Sequence, residues 1–156
     1  HLSIRRQRQM CIRDSPHINR GVEQKLGELG AEVTRTSWFS THIRRSLRWD
    51  KNEQGAERLR FLEASKAYLG YDVGAECNVS IGEAILRSRE GYEGVVHLMP
   101  FACMPETTAS GILTQVGKDL DIPILTIILD EQEIEGRVQT LLEAFVEMLQ
   151  WKRKAS

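Results

Sequence analysis

Cysteine is scarce in this chain: three in 156 residues, never as a CxxC pair. An odd number without paired spacing excludes a disulfide framework and a self-contained zinc or thioredoxin-like centre. No Walker sequence and no GxGxxG is present, so glycine spacing marks no nucleotide site. Long apolar runs are missing too. The longest, such as Ile124–Leu129, fall far short of the ~20 residues that cross a bilayer. His1–Met10 is basic and polar, unlike the apolar stretch of a secretory signal. A formal net charge of −1 gives no global field to attract nucleic acid or an anionic membrane. These absences make a cytoplasmic protein, with neither a membrane nor a nucleic-acid partner, the expectation.

What is present is ordinary for one globular domain: 41% hydrophobic and 28% charged residues. The length is enough for a sizeable core. Position 1 is His rather than Met, so a fragment of a larger protein is expected. Residues 1–15 stand apart, with Arg5, Arg6, Arg8 and Arg13 and no apolar period. A disordered or irregular leader is expected there, and Arg6–Ser15 resembles translated adapter sequence. Residues 16–156 are read as the domain.

Ile18, Val22, Leu26 and Leu29 fall at helical spacing, with Asn19 able to cap the start and Gly30 to end it. Ala31–Trp38 reads as a strand. Residues 40–52 suggest a short amphipathic helix whose Arg44, Arg45 and Arg48 form a solvated face. Glu53–Leu69 carries a broad apolar stripe and predicts a helix. A loop over Gly70–Glu76 leads to a helix over Ser80–Glu90. Val95–Met99 is a short strand, Pro100 to Pro105 a stiff loop, and Glu106–Leu120 a helix. Ile124–Leu129 has the continuous apolar character of a buried parallel strand. Ile134, Val138, Leu142, Phe145, Val146 and Leu149 outline the last helix. This alternation predicts an α/β fold, a Rossmann-like three-layer sandwich with a short, mostly parallel sheet that lacks its first strand.

Sites in such sheets gather where strands end at their carboxyl edge. Two loops qualify. Met99-Pro-Phe-Ala-Cys-Met-Pro105 places Cys103 near a helix N-terminus, where the dipole favours the thiolate that binds metals or attacks electrophiles. A cysteine in an arbitrary context is more often a small buried hydrophobe. Asp130–Glu135 holds four acidic groups, suited to a cation or to acid–base work, though such runs commonly complement a helix dipole. His97, inside a strand, reads as a packed residue, with a Cys103–His97 pair as the catalytic alternative. Cys77 has no ligand spacing.

Gly94-Val-Val-His-Leu-Met-Pro-Phe-Ala-Cys-Met-Pro-Glu106 resembles the PF-x-CMPE loop of the 2-hydroxyacyl-CoA dehydratases and acyl-CoA dehydratase activases. Asp121-Ile-Pro-Ile-Leu125 is similar to their DIPVL strand, and Asp130-Glu131 with Leu142-Glu-Ala-Phe145 to their DE…RLEAF segment. Ile18-Asn19, Lys25–Gly30 and Ile81-Gly82 extend the likeness over roughly residues 16–153. The acidic loop departs from it, lacking the family's Thr-Gly turn.

The resemblance implies a domain of an iron–sulfur protein in low-potential, ATP-coupled electron transfer for 2-hydroxyacyl-CoA dehydration. It makes Cys103 the candidate ligand of a [4Fe–4S] cluster, with Pro100, Met104, Pro105 and Glu106 shaping the cofactor loop. Thiolates are the usual ligands of such clusters. One match cannot hold a cubane, so the other ligands are expected from a missing upstream domain of the same parent. An ATPase activator or a dehydratase subunit is the further expected partner, and the fragment alone is not expected to be an active enzyme. The alternative is a non-catalytic binding or scaffold module in which Cys103 is structural.

Overall fold

A computed structural model describes residues 2–7, 19–35, 54–74, 76–130 and 135–155. The order of elements is β1 (Leu2–Gln7), α1 (Val22–Glu28), β2 (Ala31–Arg35), α2 (Gln54–Ser65), α3 (Cys77–Arg89), β3 (Gly94–Pro100), α4 (Met104–Asp119), β4 (Ile124–Leu129) and α5 (Glu135–Ala155). The four strands form one parallel sheet in the order β2-β1-β3-β4. The α/β class and the layered, Rossmann-like arrangement expected from the sequence are therefore present.

One expectation is corrected. The sheet does not lack a first strand: Leu2–Gln7 occupies that place, pairing Ile4 with Val33 on one side and with Gly94 on the other. An irregular arm was expected because Arg5 and Arg6 break any apolar run. The strand is instead specified by its place between two parallel neighbours that complete its backbone hydrogen bonds. Its order beside β3 puts a topological switch point between β1 and β3, where such sheets bind ligands outside the strands' carboxyl ends.

The two faces of the sheet bury separate cores. On one, Val96 and Leu98 of β3 and Ile127 and Leu129 of β4 meet Val22 and Leu26 of α1 and Val138, Leu142, Phe145 and Leu149 of α5. On the other, Val95 packs with Ile81 and Ile85 of α3 and Ala109, Leu113 and Val116 of α4. Successive strand residues serve opposite faces, and this alternation explains why β3 is buried on both. Each large aliphatic side chain so buried contributes roughly 2 kcal/mol.

Helix boundaries shift from the sequence reading for local reasons. α1 begins at Val22 rather than Ile18, because Gly21 takes a left-handed conformation with φ 62° and serves as its cap. The Asn19 side chain still contributes, its Oδ1 accepting the Gly21 N–H at 3.1 Å. α2 stops at Ser65, whose hydroxyl turns back to the Leu62 carbonyl at 2.8 Å. α3 starts three residues earlier than expected, at Cys77. Gly30 ends α1 with φ 81°, as its position after the helix required. Trp38 and the expected helix over 40–52 lie outside the described residues.

α2 covers the outer side of α3, and their close approach depends on Gly82. A β-carbon there would stand 1.8 Å from the Phe61 carbonyl oxygen. The seam is closed by Arg87, which bridges to Glu57 at 2.8 Å and lies 5.6 Å over the Phe61 ring. Burial pulls the Arg87 guanidinium down, but its bond to Glu90 and the charges of Glu90, Glu83 and Glu57 outweigh this and raise it.

Candidate functional site

β3 runs out at Pro100, and the chain turns through Phe101 and Ala102 before Cys103 caps α4. Three backbone bonds fix this turn. The Phe101 N–H donates to the Leu129 carbonyl at 2.9 Å, tying the turn to the end of β4. The Cys103 N–H donates to the Pro100 carbonyl at 3.3 Å, and the Cys103 carbonyl accepts the Thr107 N–H at 2.9 Å. Ala102 is held at φ 58°, a left-handed conformation that costs a non-glycine residue about 1–2 kcal/mol. Such strain persists only where the surroundings determine it, and it gathers at functional turns.

The sequence-selected residues divide by accessibility. Met104 is 80% exposed at the first turn of α4, and Phe101 is 69% exposed beside it. Cys103 is half-buried at the cap position, and its side chain makes no capping bond to α4. Pro100 and Pro105 are half-buried, with Pro105 in the first turn, where its missing N–H costs nothing. Glu106 faces the other way: it is 2% exposed and points into the core beneath the loop.

There it meets His97. Nε2 of His97 lies 2.6 Å from Oε2 of Glu106, with the two side chains 0% and 2% exposed. The Ser80 hydroxyl donates to the same oxygen at 3.4 Å. Nδ1 of His97 lies 3.4 Å from Oγ1 of Thr126, its register partner on β4. The second carboxylate oxygen, Oε1, is buried without a hydrogen-bond partner. His97 is packed, as its position inside a strand suggested. Both its ring nitrogens are engaged, one with a carboxylate and one with a hydroxyl, and the sequence reading anticipated neither contact. Across a strand, a turn and a helix start, this pair pins the first turn of α4 to β3, three residues past Cys103.

A cleft of about 510 Å³ opens beside the loop at the carboxyl edge of β3 and β4. Met99, Phe101 and Ile128 supply its apolar wall, and hydroxyl-bearing residues of α4 and Thr126 its polar one. Through Thr126 the cleft touches the buried His97–Glu106 pair.

Cys77 is fully buried at the start of α3, and burial first, then the charges of Glu106 and Asp72, push its thiol up to about 11. At pH 8, three pH units lower, about one Cys77 in a thousand is thiolate. Iodoacetamide at that pH should therefore label Cys103 in the native chain and spare Cys77, with peptide mass spectrometry reading both sites. Equal labelling of the two would mean that the α3 core opens readily.

Among the described residues no group of three or more His, Cys, Asp or Glu side chains is placed to hold a metal ion. Asp130 is exposed at the end of β4, and Glu131–Ile134 of the acidic loop lie outside the described residues. No described helix is long and apolar enough to cross a membrane. The class this fold and loop define is a doubly wound α/β domain with a cysteine at a strand-to-helix turn beside the switch point. No protein-family description matches the chain, and no curated protein matches it.

Proposed function

We propose that this domain supplies one thiolate, Cys103, to a [4Fe–4S] cluster in a protein of low-potential, ATP-coupled electron transfer for 2-hydroxyacyl-CoA dehydration. The observation that carries the reading is the setting of Cys103. Its loop is braced by two prolines, by the bond from Phe101 to Leu129 and by the pinned Glu106 below, and the cysteine caps a 16-residue helix. One cysteine fits one corner of a cubane and no more, so the remaining ligands belong to an upstream domain of the same parent, with an ATPase activator or dehydratase subunit as its partner. When bound, such a cluster supplies one-electron transfer. The chain's own residues hold the sulfur in place: Pro100 and Pro105 stiffen the turn, and Glu106 anchors it.

The test is the iron and acid-labile sulfide content of the full-length gene product containing this domain, purified without oxygen. Cys103→Ala should lose most of both, together with the brown visible absorption, while Cys77→Ala keeps them. Full iron and sulfide after Cys103→Ala would sink the ligand assignment. A docking role without metal is favoured by one observation: Phe101, Met104 and Ile128 leave apolar surface exposed around the loop. Its signature is an intact gene product that carries no iron at all.

A further inference from the structure

The cleft beside the loop has a chemistry of its own, and it does not rest on the iron reading, since Cys103 is not among its lining residues. None of the lining side chains is ionisable. A charged group entering it would meet no countercharge on the walls. The occupant is therefore uncharged where it touches the walls.

Its hydrogen-bonding character follows from where the wall's own protons point. On α4, the Thr107 hydroxyl donates to the Cys103 carbonyl at 2.8 Å, Ser110 to Thr107 at 2.8 Å and Thr114 to Ser110 at 3.0 Å. Each is a bond back to its own helix, and each leaves the oxygen's lone pairs available. On β4, Thr126 follows the same rule by a different route. We assign His97 the tautomer with its single ring proton on Nε2, facing the Glu106 carboxylate at 2.6 Å; Nδ1 is then the acceptor for the Thr126 O–H at 3.4 Å. Four hydroxyls thus face one cleft with their protons turned inward. The wall accepts hydrogen bonds and offers few.

We propose that this cleft binds an uncharged small molecule carrying hydrogen-bond donors on an apolar stem, of the alcohol or primary carboxamide class. The stem lies against Met99, Phe101 and Ile128, and the donors meet the hydroxyl oxygens of Ser110, Thr114 and Thr126. A volume of about 510 Å³ is within the range of small-molecule pockets, roughly 300–1,000 Å³. The buried pair sets the polarity of Thr126: while the carboxylate of Glu106 fixes the proton on Nε2, the threonine cannot donate outward without losing its bond to the ring.

The test is an amide-detected NMR titration of the chain with four probes of one stem length: pentanamide, methyl pentanoate, pentanoate and pentylammonium. Pentanamide should give saturable shifts at the backbone amides of Ser110, Thr114 and Thr126. The ester, which only accepts, and both ions should bind at least tenfold more weakly. Thr126→Val should weaken pentanamide by about 3- to 10-fold, the range for one hydrogen bond, and Thr126→Ser should restore it. The spectrum of each variant reports its own folding. Equal binding of ester and amide, stronger binding of either ion, no saturable shift with pentanamide, or an unchanged affinity in Thr126→Val would each overturn the proposal. Loss of iron in Cys103→Ala, or its retention, changes none of these results, so the two readings fail separately.

Discussion

Gly82→Ala should be among the most destabilising single substitutions in this chain, costing on the order of 3 kcal/mol or more in urea unfolding. The added β-carbon would meet not a side chain that can rotate but backbone, with the Phe61 oxygen at 1.8 Å, its carbonyl carbon at 2.5 Å and its α-carbon at 2.8 Å. To reach ordinary contact distance, α2 and α3 must part by more than 1 Å. That separation draws Phe61, which is 5% exposed, out of its place and stretches the Arg87 bridge to Glu57. Gly27→Ala is the matched control. It lies inside α1 with no heavy atom near its would-be β-carbon, and the change should stabilise by roughly 0.5–1 kcal/mol. If both substitutions shift the urea midpoint alike, the helices do not touch where the structure puts them.

The contrast between these two glycines shows what a single sequence can and cannot carry. Both sit inside apolar-patterned helical segments, and nothing in the chain distinguishes the one pressed against a neighbouring backbone. Strand and helix alternation was legible, because Ile124–Leu129, the stripe Val138 to Leu149 and the glycine after α1 each report on local burial or dihedral preference. β1 was not legible. Its two arginines hide the pattern, and what makes Leu2–Gln7 a strand is a pair of neighbours, β2 and β3, distant in the chain. Tertiary partners override local composition in this way.

The candidate site divides along the same line. The loop around Cys103 was readable from its two prolines and its place between a strand and a helix. The pair beneath it left a signal that passes unnoticed if residues are taken one at a time. Glu106, Ala109, Leu113 and Val116 form the buried stripe of α4 at spacings of three and four, and its first member is a carboxylate. His97 likewise interrupts the apolar series Val95-Val96-…-Leu98-Met99, every member of which is buried. Two ionisable residues at core positions of adjacent elements must find each other or leave a buried charge uncompensated. The sequence therefore contained the contact as a requirement, though not its geometry.

That requirement makes the second large effect predictable. Removing one partner should be far worse than removing both. Glu106→Met leaves the His97 ring at 0% exposure with Nε2 unpaired. Breaking a buried pair in this way costs roughly 3–5 kcal/mol. His97→Leu should cost a similar amount, because it leaves a carboxylate already short of one partner, at Oε1, without its remaining strong one. The double variant His97→Leu/Glu106→Met fills the same space with apolar side chains and should fall within about 1 kcal/mol of the parent, since buried pairs replaced whole by hydrophobic residues are commonly neutral or stabilising. Urea midpoints of the parent, the two single variants and the double variant close the cycle. Additive losses in the double variant would mean that the two residues act separately, and that the 2.6 Å contact does not hold α4 to β3. A restored double variant leads to a further step, for then stability does not require the pair. What the pair adds beyond an apolar plug is direction: it fixes the first turn of α4 under Cys103 and turns the Thr126 hydroxyl away from the cleft. In the double variant that hydroxyl is released, and the preference of the cleft for pentanamide over methyl pentanoate should narrow while the fold remains intact.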